Sequence, residues 1–161
     1  MPPDQAPKEA QQHLSAARHL LYITFPALKD PKLLLGVTSQ LLAAGEAAME
    51  ALLAQERELR LVPPYGKSFE SKFAAFRSSS AKRNHLEMGH LMLLEELKEL
   101  VDLQKACPVE FRRSDGYVLA TEKFRLRSIT KKDMDTYFMR TRAFLSEIQK
   151  LLQKYDFNRK Q

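Results

Sequence analysis

The chain has no tryptophan, one cysteine, five glycines and eight prolines among 161 residues. A single thiol, Cys107, rules out an internal disulfide, and nothing points to an oxidising compartment. Ahead of Pro108 it reads as a small buried hydrophobe. So little glycine and proline argues against loop-rich and repetitive folds. No run of aliphatic and aromatic residues exceeds four, Leu91 to Leu94 being one such run. That is far short of the ~20 residues a bilayer span needs. Met1-Pro2-Pro3-Asp4-Gln5 carries no apolar signal core, so a cytosolic protein is expected. There is no glycine-rich phosphate loop, no Gly-x-Ser-x-Gly and no cysteine–histidine nucleophile pair.

What is present is helix-forming. Leu, Ala, Glu, Lys and Gln dominate, and all favour helices. With 44% hydrophobic and 29% charged residues, the composition is that of an ordinary domain with a real core. The expectation is one mainly α domain over residues 1–161, with short disordered ends at about 1–5 and 156–161. Its architecture is an antiparallel bundle of four main helices and one short helix. A β-hairpin or small three-strand ribbon precedes the last helix.

Periodicity places the elements. Asp4 caps a first helix that carries Ala10, Leu14, Ala17, Leu21 and Tyr22 at helical spacing and ends or kinks near Phe25, before Pro26. Asp30-Pro31 starts a second helix reaching about Arg60, with Leu34, Val37, Leu41, Ala44, Ala48, Leu52 and Leu53 inward. Its charged end, Glu56-Arg57-Glu58-Leu59-Arg60, reads as solvated. Val62-Pro63-Pro64-Tyr65-Gly66 breaks the chain. Ser68 caps a short third helix whose Phe69, Phe73 and Phe76 lie at i, i+4 and i+7, and Ser78-Ser79-Ser80 ends it. A fourth helix begins around Ala81 to Asn84 and reaches about Lys105. On it, Arg83, Leu86, His90, Leu93 and Leu97 form one stripe of threes and fours.

The period then changes to two. Val109-Glu110-Phe111-Arg112-Arg113 and Tyr117-Val118-Leu119-Ala120-Thr121 flank Ser114-Asp115-Gly116, a hairpin signal. Phe124 to Ile129 alternates and adds a third strand, its apolar side on the bundle and Arg125 and Arg127 facing out. Thr130-Lys131-Lys132-Asp133 resembles a capping box. It opens a last helix to about Tyr155, with Met134, Phe138, Phe144, Leu145, Ile148 and Leu152 inward.

Two constellations could carry function. The first is basic. The net charge is +6, which favours anionic partners. Arg112, Arg113, Lys123, Arg125, Arg127, Lys131 and Lys132 cluster against only Asp115 and Glu122. With Tyr117 beside the turn, this hairpin reads either as a grip on RNA phosphates or as a solvated amphipathic face.

The second is Arg83-Asn84-His85-Leu86-Glu87-Met88-Gly89-His90. An arginine, a polar neighbour, then a histidine after a short interval on a helical bundle resembles the signature of HEPN-type domains, many of them metal-independent ribonucleases. The resemblance implies that Arg83, beside Asn84, stabilises the charge of the phosphorane. It implies that His90 is the general acid or base for attack by the ribose 2′-hydroxyl. The chemistry is sound, because metal-free cleavage needs a proton carrier near neutrality and a fixed cation. On one continuous helix the two Cα atoms would lie about 10.5 Å apart. Dimeric HEPN proteins complete such a site with a second subunit, so a homodimer is a possible partner state. The plain alternative makes His90 a core histidine and pairs Arg83 with Glu87 at i+4.

The chain also resembles a group of small all-helical archaeal proteins, through His19-Leu20-Leu21, Lys29-Asp30-Pro31-Lys32-Leu33-Leu34-Leu35, Phe69-Glu70-Ser71-Lys72-Phe73 and Pro108-Val109-Glu110-Phe111. That resemblance implies a helical fold and no particular activity. Glu87-x-x-His90 has the spacing of a di-iron motif, but no second copy exists, so no metal or other cofactor is expected. The expected function is therefore a non-enzymatic cytosolic module that contacts RNA or a ribonucleoprotein through the hairpin, or self-associates. The alternative is a HEPN-like ribonuclease using Arg83 and His90.

Overall fold

The computed structural model describes residues 5–107, 109–112, 116–120 and 126–159. They form a mainly helical fold of five helices. Helix α1 spans residues 5–28, with α-helical Gln5–His19, a wider π turn at Leu20–Thr24 and a closing turn at Phe25–Leu28. Helix α2 is Lys32–Glu58, and α3 spans residues 69–83. Helix α4 is Met88–Ala106 and α5 is Lys131–Arg159. The long α2 is the centre, with α1, α4 and α5 packed along it.

Pro26 does not end α1 near Phe25. The Phe25 N–H reaches back to the Leu20 carbonyl in the π turn, and a π turn adds one residue to the local ladder. The chain therefore passes the missing donor of Pro26 without losing the helix. Leu21 and Phe25 both stay buried, while Tyr22 is left 40% exposed. Lys29 stops the helix in the left-handed region at φ 52°, its N–H bonded to the Phe25 carbonyl at 2.7 Å.

Helix α2 starts where Asp30 Oδ1 accepts the Lys32 N–H at 3.0 Å. Every residue of its expected stripe is buried. Gly45 permits the close approach of α4, since a Cβ there would lie 2.7 Å from Leu94 Cδ2. Ser68 caps α3, its Oγ accepting the Ser71 N–H at 3.1 Å. Ser68→Ala is expected to cost about 1 kcal/mol in a denaturation midpoint, whereas an unchanged midpoint would make the cap redundant.

The serine run does not end α3. Residues Phe76–Ser80 form a second π turn, and Ala81–Arg83 continue the helix. The break comes later, at 84–87, where His85 adopts φ 53°. The fourth helix thus begins at Met88 rather than between Ala81 and Asn84.

The strands are β1 Val109–Arg112, β2 Gly116–Ala120 and β3 Leu126–Thr130, antiparallel in the order β1-β2-β3. Phe111 pairs with Tyr117, and Tyr117 with Ile129. Tyr117, Leu119 and Ile129 belong to the core. The capping box of α5 is reciprocal: Thr130 Oγ1 accepts the Asp133 N–H at 3.2 Å, and Asp133 Oδ2 accepts the Thr130 N–H at 2.9 Å. Helix α5 runs through the stretch expected to fray and reaches Arg159, whose guanidinium pairs with Glu58. Among the described residues no helix is long and apolar enough to cross a membrane.

Candidate functional site

Arg83 and Asn84 meet at a buried carboxylate. Glu56, in the last turns of α2, is 0% exposed. Its Oε2 accepts from Arg83 Nη1 at 2.8 Å, Asn84 Nδ2 at 3.0 Å and the Tyr155 hydroxyl at 2.6 Å. The other Arg83 nitrogen, Nη2, donates to Ser79 Oγ at 2.7 Å and to the Leu61 carbonyl. Asn84 also donates to the Ser80 carbonyl at 2.8 Å. The continuation of α3 past the serines to Arg83 supplies this arrangement, because it sets Ser79 and Ser80 one helical turn before Arg83 and Asn84.

Two buried oxygens here, Glu56 Oε1 and Ser80 Oγ, lack a partner at hydrogen-bond geometry. The Ser80 hydroxyl nevertheless lies close enough to stabilise the carboxylate. Burial raises the Glu56 carboxyl's pKa, but the hydroxyls of Ser80 and Tyr155, the Arg83 guanidinium and the Asn84 amide outweigh it, and the net shift is downward. Tyr155 responds in the opposite sense. Burial and then the hydrogen bond and negative charge of Glu56 push its phenol up to about 12.

His90 is not part of this cluster. The break at 84–87 puts Arg83 and His90 on different helices, so the single stripe expected for them does not exist. His90 is half-buried, with its ring centroid 5.4 Å from that of Phe144. Phe144 in turn meets Phe76 edge-on at 6.1 Å. The acid that holds Arg83 is Glu56, across the bundle, and not Glu87.

Glu56 and Tyr155 were missed as partners of the motif. Glu56 follows Leu52 and Leu53 at i+4 and i+3, on the inward stripe of α2. That spacing was the available signal, and it was masked by three charged neighbours, Arg57, Glu58 and Arg60, that do face water.

The hairpin is less open than its composition implies. Tyr117, expected at the surface, is 0% exposed, and its hydroxyl accepts from Gln104 Nε2 at 2.5 Å. Burial raises its pKa. It is therefore closed to base stacking. Arg127, expected to face out, pairs with Glu99 of α4 at 3.4 Å. Lys131 pairs with Asp135 at 3.0 Å and lies over the Tyr22 ring, 5.4 Å from its centroid. Lys132 is exposed. Arg113, Lys123 and Arg125 lie outside the described residues, as does the Arg112 side chain. The charged face of α4, expected to be solvated, is laced with pairs: Glu95 with Arg77, Glu96 with Arg140 and Lys98 with Asp102.

A cavity of about 800 Å³ lies between α3 and α4, floored by Phe69, Phe73, Leu103 and Ala106. Its rim mixes Glu70, Glu95, Glu99 and Asp102 with Arg77, Lys82 and Lys98, which favours neither anion nor cation. Neither Arg83 nor His90 lines it. No group of three or more His, Cys, Asp or Glu side chains suited to a metal ion occurs among the described residues. No family model, curated protein or solved structure matches the chain.

Proposed function

We propose that the chain is a non-catalytic module that contacts RNA or a ribonucleoprotein through the basic face made by the hairpin and the start of α5. The observation that supports this over RNA cleavage is the closure of Arg83 on Glu56. An arginine that stabilises a phosphorane must aim free N–H groups at the substrate. Arg83 has three protein acceptors instead. Pulling it toward a phosphate leaves a buried carboxylate short of its cation, which costs several kcal/mol. His90, on another helix and against Phe144, is not presented beside it.

What supports RNA contact is charge. The chain carries 26 lysines and arginines against 20 acids, and the hairpin region concentrates Arg112, Arg113, Lys123, Arg125, Arg127, Lys131 and Lys132. Phosphate contacts of this kind bind without reading sequence.

The test is to incubate the protein and its His90→Ala variant with structured and unstructured RNA in EDTA. Both RNAs should survive with either protein, while a labelled oligonucleotide is retained with an affinity that falls as salt rises. Arg125→Ala with Arg127→Ala should weaken retention and reduce the salt slope by ~0.7 for each phosphate no longer neutralised. EDTA-resistant cleavage that vanishes in His90→Ala would overturn the reading in favour of the ribonuclease. No retention at low salt would discard RNA binding itself.

A further inference from the structure

A groove of about 540 Å³ runs between α1 and α5. Arg18 and Arg142 line it, and no carboxylate does. Among the described residues, Arg77, Arg83, Arg127, Arg140 and Arg159 each hold an acid. Arg18 and Arg142 pair with none, like Arg57 and Arg60 at the end of α2, but Arg18 and Arg142 face one groove from two helices. The carboxylate at the end of the groove, Asp135, lies beside the Tyr22 hydroxyl and is held by Lys131 at 3.0 Å.

Of the other lining groups, Leu14, Phe138 and Met139 are apolar, and the rest are neutral and hydrogen-bonding. Gln11, Ser15, Arg18 and Tyr22 step by four, three and four along α1, so they share one face over ~16 Å. Arg142, Ser146 and Gln149 step by four and three along the facing side of α5. Tyr22 owes its position to the π turn. It is 40% exposed, yet its ring is fixed edge-on against Phe138 at 5.4 Å and 82°. The Lys131 ammonium, 5.4 Å from its centroid, joins this groove to the basic start of α5.

Each group has a place in the recognition of one kind of polymer. Guanidiniums free of protein acids take phosphates in a bidentate fork. Amides and hydroxyls meet base edges. An exposed, immobilised tyrosine stacks a base. An acidic peptide would use the arginines but leave the neutral amides and the tyrosine without a purpose, and a membrane surface would call for a row of exposed apolar side chains in place of Gln11, Ser15, Ser146 and Gln149.

We infer that the groove between α1 and α5 holds a short stretch of single-stranded RNA, with Arg18 and Arg142 on phosphates and Tyr22 stacked on a base. This rests on the RNA-contacting reading above and extends its basic face from the start of α5 onto α1.

The test is fluorescence anisotropy of the full chain with a labelled 20-mer of uridine, a duplex RNA, an acidic peptide and anionic phospholipid vesicles. The single strand should bind tightest. Arg18→Gln with Arg142→Gln should reduce its salt slope by ~1.4, the share of two single-strand phosphates. Tyr22→Leu should weaken binding roughly 5–50-fold, the range for removing one base stack. Arg18 and Arg142 are exposed, so their double variant should not move the unfolding midpoint. Tyr22→Leu also gives up the edge-on contact with Phe138, so its affinity is read at a temperature where its melt shows it folded. Lys150→Gln with Lys154→Gln removes the same charge elsewhere and should leave the affinity within about twofold.

If the two double variants weaken binding equally, or duplex binds as tightly as single strand, the groove is overturned and RNA contact stands. If only the Arg125/Arg127 variant weakens binding, the groove is likewise overturned. If no RNA binds, or only the peptide or the vesicles do, both readings fall.

Discussion

Replacing Glu56 with alanine is expected to destabilise the protein by about 3–5 kcal/mol, the cost of removing one partner from a buried charge pair. The carboxylate is fully buried, and its Oε2 is the shared acceptor of an arginine, an amide and a phenol. Removing it strips three donors at once and opens a void where α2, α3 and the end of α5 meet. Arg83, whose side chain is 30% exposed, recovers some hydration, which keeps the cost from rising further. Glu56→Gln should cost less, because one oxygen remains to accept while its new amide faces other donors. Urea titration reads both, as a lower midpoint with an unchanged slope. A loss below about 0.5 kcal/mol for Glu56→Ala would mean that the cluster is incidental to the fold.

The same substitution should reshape the dependence of stability on pH. The Glu56 carboxyl is held below its ordinary 4.5. A depressed acid contributes stability that is present above its unfolded value and lost as pH falls through its folded one. Tyr155 is raised from 10.0 to about 12. Its contribution is present below 10.0 and fades as pH climbs toward 12. The cluster therefore supports the fold across the neutral range and weakens at both extremes. In Glu56→Ala the acid and alkaline limbs should both flatten relative to the parent. A parent-like alkaline limb would show that Tyr155 does not depend on Glu56.

The helices were legible because burial imposes period on sequence. The stripe from Leu34 to Leu53, the Ser68 cap and the Thr130–Asp133 box each follow from local chemistry, and each is present. Two of the misplacements share a cause. Two π turns, at Leu20–Thr24 and Phe76–Ser80, insert a residue without leaving any compositional mark. The first carries α1 past Pro26 and sets Tyr22 at the groove. The second carries α3 through Ser78-Ser79-Ser80 to Arg83. The run of threes and fours from Arg83 to Leu97 assigned Arg83 and His90 to one helix for a separate reason: no Pro or Gly immediately precedes the break, and His85 in a left-handed conformation ends that register. Long-range partners were illegible for a different reason: Glu56 and Tyr155 are 99 residues apart, and one sequence read locally does not pair them. The arginines of the α1–α5 groove were passed over because they look like solvated charges. Their distinction is that they line one groove with no acid between them, a property of two helices together.

Phe144→Ala should be as damaging as the loss of Glu56, about 3–5 kcal/mol, the usual cost of deleting a buried phenyl ring. Phe144 is 0% exposed and holds three helices in register. From α5 it meets Phe76 of α3 edge-on at 6.1 Å and supports His90 of α4 at 5.4 Å. His90→Ala removes only a half-buried ring, so about 1 kcal/mol is expected. Because the two rings touch, their effects should not add, and a double-mutant cycle should give a coupling of about 0.5–1.5 kcal/mol. This cycle bears directly on what His90 is for. A histidine kept for packing loses stability when truncated and is coupled to the ring beneath it. A histidine kept for proton transfer is commonly held at some cost to stability, and its removal is neutral or stabilising. Zero coupling with a rise in the unfolding midpoint of His90→Ala would restore the chemical role that its separation from Arg83 argues against.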